Sequence, residues 1–137
     1  MVGVSSRPDN FSRRLMRELI ARNYKIFPVN PSIGEVEGIV CRAKITDVED
    51  SPKRAMLMTS TEKLPSLAYD CVAADTRWVW ILRSGGDRAL RRKAVSILQE
   101  NKLVVIDGWC PYLFLEGVEF PHRFHRKILS IFGALPY

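Results

Sequence analysis

The chain has 137 residues, 47% apolar and 26% charged, with a net charge of +6 from 21 basic and 15 acidic side chains. That composition fits one ordinary globular domain over residues 1–137 with enough chain to bury a core. It excludes a membrane-spanning helix, because no uncharged apolar run approaches the roughly 18 residues a span needs.

The positive charge admits an anionic partner or simple solubility. The N-terminus lacks the basic-then-apolar pattern of an export signal. Three unevenly spaced cysteines without such a signal fit reduced thiols, so a cytoplasmic location is expected. There is no internal repeat, linker or low-complexity segment.

The chain opens with a short β-branched strand over residues 2–4, followed by turn formers over 5–10 and a helical pattern over 11–23. The four residues before the loop make a short central strand, so its beginning is expected to be covered by a neighbouring element or by a preceding segment. Phe11, Leu15 and Leu19, with Met16 and Ile20, form the sheet-facing stripe. Asp9 or Asn10 is the expected N-cap. The unpartnered N–H groups and the dipole at the helix start favour an anion there, and Gly3 lets backbone approach a ligand. Arg7, inside the loop, is a candidate ligand contact. Arg13 and Arg14 either reach a phosphate or belong to a solvated helix face.

A second strand over 25–29 ends in Asn30-Pro31, which completes a βαβ unit of the nucleotide-binding kind. A dinucleotide fingerprint needs G-x-G-x-x-G and an acidic residue about 20 positions on. Only Gly3 is present; Ser5 and Pro8 stand at the other two places, and no acid lies between Glu18 and Glu35. NAD is therefore disfavoured.

Residues 32–52 are irregular, with a single helical turn expected at Thr46 or Asp47. Residues 55–59 read as a buried parallel strand. Thr59, Ser60 and Thr61 at its carboxyl end can donate to a nucleotide or cap the helix over 62–73. Residues 77–82 read as the clearest buried strand, with Trp78 and Trp80 on one face, suited to core packing under a helix or to base stacking. A flexible turn over 83–86 follows, then a helix over 87–101 whose Arg88, Arg91, Arg92 and Lys93 read as a solvated face. Residues 103–106 form the last strand. Cys110 lies just past its end, as a buried small hydrophobe, a thiol near a ligand's sulfur, or a nucleophile. A zinc site from Cys110, His122 and His125 lacks a fourth ligand of convincing spacing. Residues 121–133 read as an amphipathic helix that covers the sheet, pairs with a second subunit, or lies on a membrane surface.

The run Gly3-Val4-Ser5-Ser6-Arg7-Pro8, then Phe11-Ser12, then Pro28-Val29-Asn30-Pro31, resembles the G-x-S-x-x-P and V-N-P pattern of the small stand-alone CoA-binding domain family. That family is related to the CoA-binding domain of succinyl-CoA synthetase. Residues 74–82 and 105–111 look like its fourth and fifth strands, the latter with the following Cys. The resemblance implies a three-layer, doubly wound (Rossmann-like) α/β fold, five parallel strands in order 3-2-1-4-5, and a C-terminal helical extension over 111–137. It implies coenzyme A or acyl-CoA as the ligand. The diphosphate would lie over Gly3, Ser5, Ser6, Arg7, Asn10 and Ser12, and the adenosine near Asn30, Pro31, Thr59, Ser60 and Thr61. The pantetheine would run toward Leu82, Arg83, Gly85 and Cys110, where Cys110 can form a mixed disulfide with CoA. Arg83 departs from the Gln common there in the family.

No assembled catalytic set is visible, so a binding or sensing module is expected, without nucleic acid or membrane and with a homodimer open. The alternatives are an NAD(P)-binding or thiol-dependent enzyme using Cys110, and a basic nucleic-acid binder.

Overall fold

A computed structural model describes residues 1–115. In chain order they form α1 (Phe11–Ala21), a hairpin of β1 (Glu35–Val36) and β2 (Ile39–Val40), β3 (Arg54–Leu57), α2 (Leu64–Ala73), β4 (Trp78–Ile81), α3 (Arg88–Glu100) and β5 (Val104–Asp107). Short 3₁₀ turns occupy Ile45–Asp47, Thr61–Lys63 and Pro111–Phe114. The helix expected over 121–133, with His122 and His125, lies outside the described residues.

Regular parallel ladders join β3 to β4 and β4 to β5, with Arg54 opposite Trp78 and Trp78 opposite Val104. Beyond β3 the sheet continues through single parallel bridges: Leu57 to Val2, Val2 to Val29, and Val29 to Arg42. The first two expected strands are thus extended segments held by one bridge on each side. The five expected strands do not follow the order 3-2-1-4-5, because β3 sits between the first segment and β4. The reason is an edge position that no periodicity reveals. Arg42 donates its N–H to Pro28 O (3.0 Å) and accepts from Asn30 N–H (2.9 Å), which places it outside the second segment. Counted through those bridges, the parallel order across the sheet is Arg42, Val29, Val2, β3, β4 and β5.

Alternation along the strands divides the core. Ala55, Leu57, Val79 and Ile81 face α2 and α3, which bury Leu64, Ala68, Cys71, Ala94, Ile97 and Leu98 against them. On the other side, Met16 and Ile20 of α1 meet Val4, Met58 and Val36 of the hairpin. Trp78 and Trp80 share that second side, but neither is sealed into a core, which corrects the core-packing expectation. Trp78 remains 40% exposed, with the Arg54 guanidinium 5.6 Å from its ring centre. Trp80 donates Nε1–H to Trp109 O (2.8 Å) and meets Phe114 edge-on at 5.0 Å. Both line an apolar groove of about 690 Å³ with Leu19, Phe27 and Ile106.

Candidate functional site

In an open α/β sheet, ligands settle beyond the carboxyl ends of strands at the point where the connections part. Here that point lies between the Val2 segment and β3. Gly3 has φ +86°, and a Cβ on it would stand 2.5 Å from Met58 O and 2.8 Å from Thr59 Cγ2. The close neighbour that requires glycine is therefore the end of β3, not a ligand. The effect is to set the loop that begins at Gly3 against residues 58 and 59, the two walls of the switch point.

The first wall is organised from within. Asn10 is the N-cap of α1, and its Oδ1 accepts from Ser12 N–H (2.9 Å) and Ser12 Oγ–H (2.8 Å). Ser12 Oγ accepts in turn from Ser5 N–H (2.9 Å), and Ser5 Oγ accepts from Arg7 N–H (3.1 Å). These three side chains shape the loop from inside.

Arg13 fits neither expected role, because its side chain is buried beneath the loop. It donates Nη1–H to Ser5 O (3.2 Å) and Ser6 O (3.1 Å), while Nε and Nη2 donate to Glu37 Oε1 at 2.9 and 2.7 Å. Arg17 adds Nη2–H to Pro8 O (2.8 Å) and Nη1–H to the same Glu37 oxygen (2.8 Å). Glu37 stands at the hairpin tip, where Glu37 (φ +50°) and Gly38 (φ +74°) make a two-residue connection of the type I′ kind. The Arg13 hydrogen bonds, reinforced by Arg17, hold the Glu37 carboxyl below its ordinary range. A trans peptide sets its N–H opposite its C=O. Drawing the Ser5 and Pro8 carbonyls toward α1 therefore turns the Ser6 and Asp9 N–H groups the other way. Among the described residues those two amides have no protein acceptor. The arrangement can receive an oxyanion.

The second wall sorts the remaining expectations. Thr59 is half-buried and Ser60 exposed. Thr61 is buried; its Oγ1 accepts from Asp87 N–H (2.9 Å) and donates to the Glu62 carboxylate (3.3 Å). Gly86 (φ +123°) lies so close that a Cβ would collide with that hydroxyl. Thr61 thus ties two loops together and is withdrawn from any ligand. Asn30 is likewise spent, donating Nδ2–H to Val4 O (2.9 Å) and accepting from Ser32 N–H (2.9 Å). Pro31 is exposed, and no Asp or Glu lies between Glu18 and Glu35 in the chain.

Leu82 is half-buried and its carbonyl accepts from Arg91. Arg7, Arg83 and Gly85 are exposed, and neither arginine side chain has a partner among the described residues. Cys110 is partly exposed, in a segment that returns toward α1, where Tyr112 meets Phe11 edge-on at 5.7 Å. Among the described residues no group of three or more His, Cys, Asp or Glu is placed to hold a metal.

Sequence reasoning missed Arg17, Glu37 and the hairpin. The available signal was Val36-Glu37-Gly38-Ile39, an x-Gly pair between apolar residues.

A parallel sheet with α1 on one side and α2 and α3 on the other defines a Rossmann-like α/β domain. Similar solved structures agree: a hypothetical protein from Pyrococcus horikoshii OT3 superposes with a TM-score of 0.73 at 23% identity, covering 80% of this chain and 74% of that one. The chain belongs to the CoA binding domain family, whose model matches residues 1–116. It is 26% identical over 110 residues to the uncharacterized protein YneT of Bacillus subtilis (strain 168), a match spanning 80% of this chain and 78% of YneT. It is 25% identical over 114 residues to the ADP-forming acetate–CoA ligase of Methanocaldococcus jannaschii, spanning 80% of this chain but only 16% of the ligase. No helix among the described residues is long and apolar enough to cross a membrane.

Proposed function

We propose that this protein binds coenzyme A or an acyl-CoA non-covalently, as a binding or sensing module. The observation that carries the reading is the loop over residues 3–10, whose carbonyls are drawn inward by Arg13 and Arg17 while the Ser6 and Asp9 amides have no acceptor among the described residues, beside the amino end of α1. The diphosphate rests on those amides, with Ser5, Asn10 and Ser12 holding the loop's shape and Gly3 keeping the two walls close. The adenosine lies toward Pro31, Thr59 and Ser60, with Asn30 and Thr61 as supports behind them. Arg7 meets the 3′-phosphate, since it is exposed and without a side-chain partner among the described residues. The pantetheine runs past Leu82, Arg83 and Gly85 toward Cys110. The absence of an acidic residue between Glu18 and Glu35 in the chain speaks against a nicotinamide dinucleotide, whose ribose hydroxyls need one.

Native mass spectrometry of the purified protein, with calorimetric titration of CoA, dephospho-CoA and NAD, tests this. CoA should bind most tightly, dephospho-CoA several-fold more weakly and NAD weakest. Equal affinity for CoA and dephospho-CoA removes the role given to Arg7, and preference for NAD overturns the reading.

A further inference from the structure

A second concavity, of about 660 Å³, lies between the flank of α3 and the carboxyl end of β5. Its walls include Arg83, Arg88, Arg91 and Arg92, with Ser96 and Gln99 further along the helix. Asp107 is the one carboxylate lining it among the described residues, and it is already engaged. Arg91 donates Nε–H to Asp107 Oδ1 (2.7 Å), and the same guanidinium donates to Leu82 O (3.0 Å) and Ile81 O (3.3 Å). Arg91 is thereby fixed as part of the wall, with its side chain only 15% exposed. Arg83, Arg88 and Arg92 have no hydrogen-bond or ion-pair partner among the described residues. The cleft therefore presents a surplus of positive charge and mostly donor groups.

Local helix energetics oppose this placement. Arg88 is the first residue of α3, and Arg91 and Arg92 follow one turn later. The macrodipole disfavours cations at a helix's amino end, and like charges three or four residues apart repel. The Asp87 carboxylate, which caps the helix through Ala89 N–H (2.6 Å), offsets only part of that. A surface on which sequence and local preference disagree is where function is expected.

We propose that this cleft, centred on Arg88 and Arg92 and sharing only Arg83 with the path given to the pantetheine, is an anion site distinct from the loop at residues 3–10, and that it takes a small metabolite carrying a phosphate or several carboxylates. Planar guanidiniums bind such groups in pairs of parallel hydrogen bonds, and the volume suits a small molecule. The inference does not depend on coenzyme A being the ligand of that loop.

The probe is inorganic pyrophosphate, titrated calorimetrically into the full chain at low ionic strength, with and without saturating CoA, for the wild type and for R88Q/R92Q. Pyrophosphate should still bind the CoA-saturated wild type. R88Q/R92Q should weaken that binding at least tenfold while CoA affinity stays within twofold and the melting temperature does not fall. The proposal is overturned if CoA abolishes pyrophosphate binding, or if R88Q/R92Q binds pyrophosphate as the wild type does. Should CoA itself fail to bind, the reading of the loop at residues 3–10 falls, while the loss of a pyrophosphate site in R88Q/R92Q still decides this one.

Discussion

Arg13 on α1 and Glu37 at the tip of the hairpin are joined by two hydrogen bonds of 2.9 and 2.7 Å to one carboxylate oxygen, across 24 residues of chain. The pairing couples the hairpin to the loop over residues 3–10, because the same guanidinium holds the Ser5 and Ser6 carbonyls. Glu37→Gln keeps the oxygen but removes its charge. CoA affinity should fall roughly three- to tenfold, the scale of one weakened charge-assisted hydrogen bond. The Glu37 carboxyl is held below its ordinary value of 4.5, so the folded-state pKa is the lower one. Its contribution is complete above that ordinary value and is lost as pH falls through the lowered one. As pH falls through that lowered value the wild type should converge on Glu37→Gln, as read by CoA titration and melting temperature together. Equal affinities at neutral pH would dissociate the hairpin from the loop.

Gly3 cannot be replaced quietly. Alanine there must adopt φ +86° and bring its Cβ to 2.5 Å from Met58 O. The strain of a left-handed alanine and the collision with fixed backbone together should cost about 3 kcal/mol or more. Urea unfolding of Gly3→Ala measures this, and Gly34→Ala, where a Cβ meets nothing within 4 Å, serves as the control.

Cys71 gives the fold an alkaline limit. The thiol is buried against the core, and burial raises its pKa from 9.0 to about 12. A raised folded-state pKa means that the unfolded chain ionises first. The stabilisation of the neutral thiol is complete below pH 9.0 and is lost progressively toward pH 12. Melting temperature should therefore decline over that window. Cys71→Ala, at a cost of about 1 kcal/mol at neutral pH from lost packing, should show a shallower decline. Parallel curves for the two proteins would place the alkaline sensitivity elsewhere.

The three thiols should react in a definite order. Cys110 is partly exposed past the end of β5. Cys41 is also partly exposed, but burial raises its pKa, and Cys71 is both buried and raised. Thiolate fraction and access govern attack on a disulfide. With CoA disulfide at pH 8, Cys110 should form the mixed disulfide first, releasing one CoA thiol per protein, with Cys41 slower and Cys71 modified only on unfolding. Peptide mass mapping against time gives the order, and early modification of Cys71 would contradict the buried core.

Much of the fold could be read from the chain where one residue type has one local task. The α3 helix ends within a residue of expectation because Asp87 and Asn101 are caps with their own hydrogen bonds. Leu15, Met16 and Leu19 are buried as their spacing requires. The strand order could not be read, since Arg42 takes its edge place through two backbone bonds and no alternation. Arg13 was legible as a basic residue near a helix start, but its carboxylate partner lies on a hairpin of two-residue strands, too short to show a period. Thr61 and Asn30 were expected beside the ligand's adenosine end. Their polar atoms proved to be committed to neighbouring backbone, a distinction that only tertiary contacts make.

The sheet is unevenly stitched. β3, β4 and β5 share continuous ladders, whereas Val2, Val29 and Arg42 hang on single bridges. Amides of the lightly stitched half should exchange with solvent sooner than those of β4. A molecule lying across the seam between Val4 and Met58 grips one region from each half. Its arrival would then register as a slowing of exchange far from any atom it touches, and the protein would report occupancy through its own stiffness.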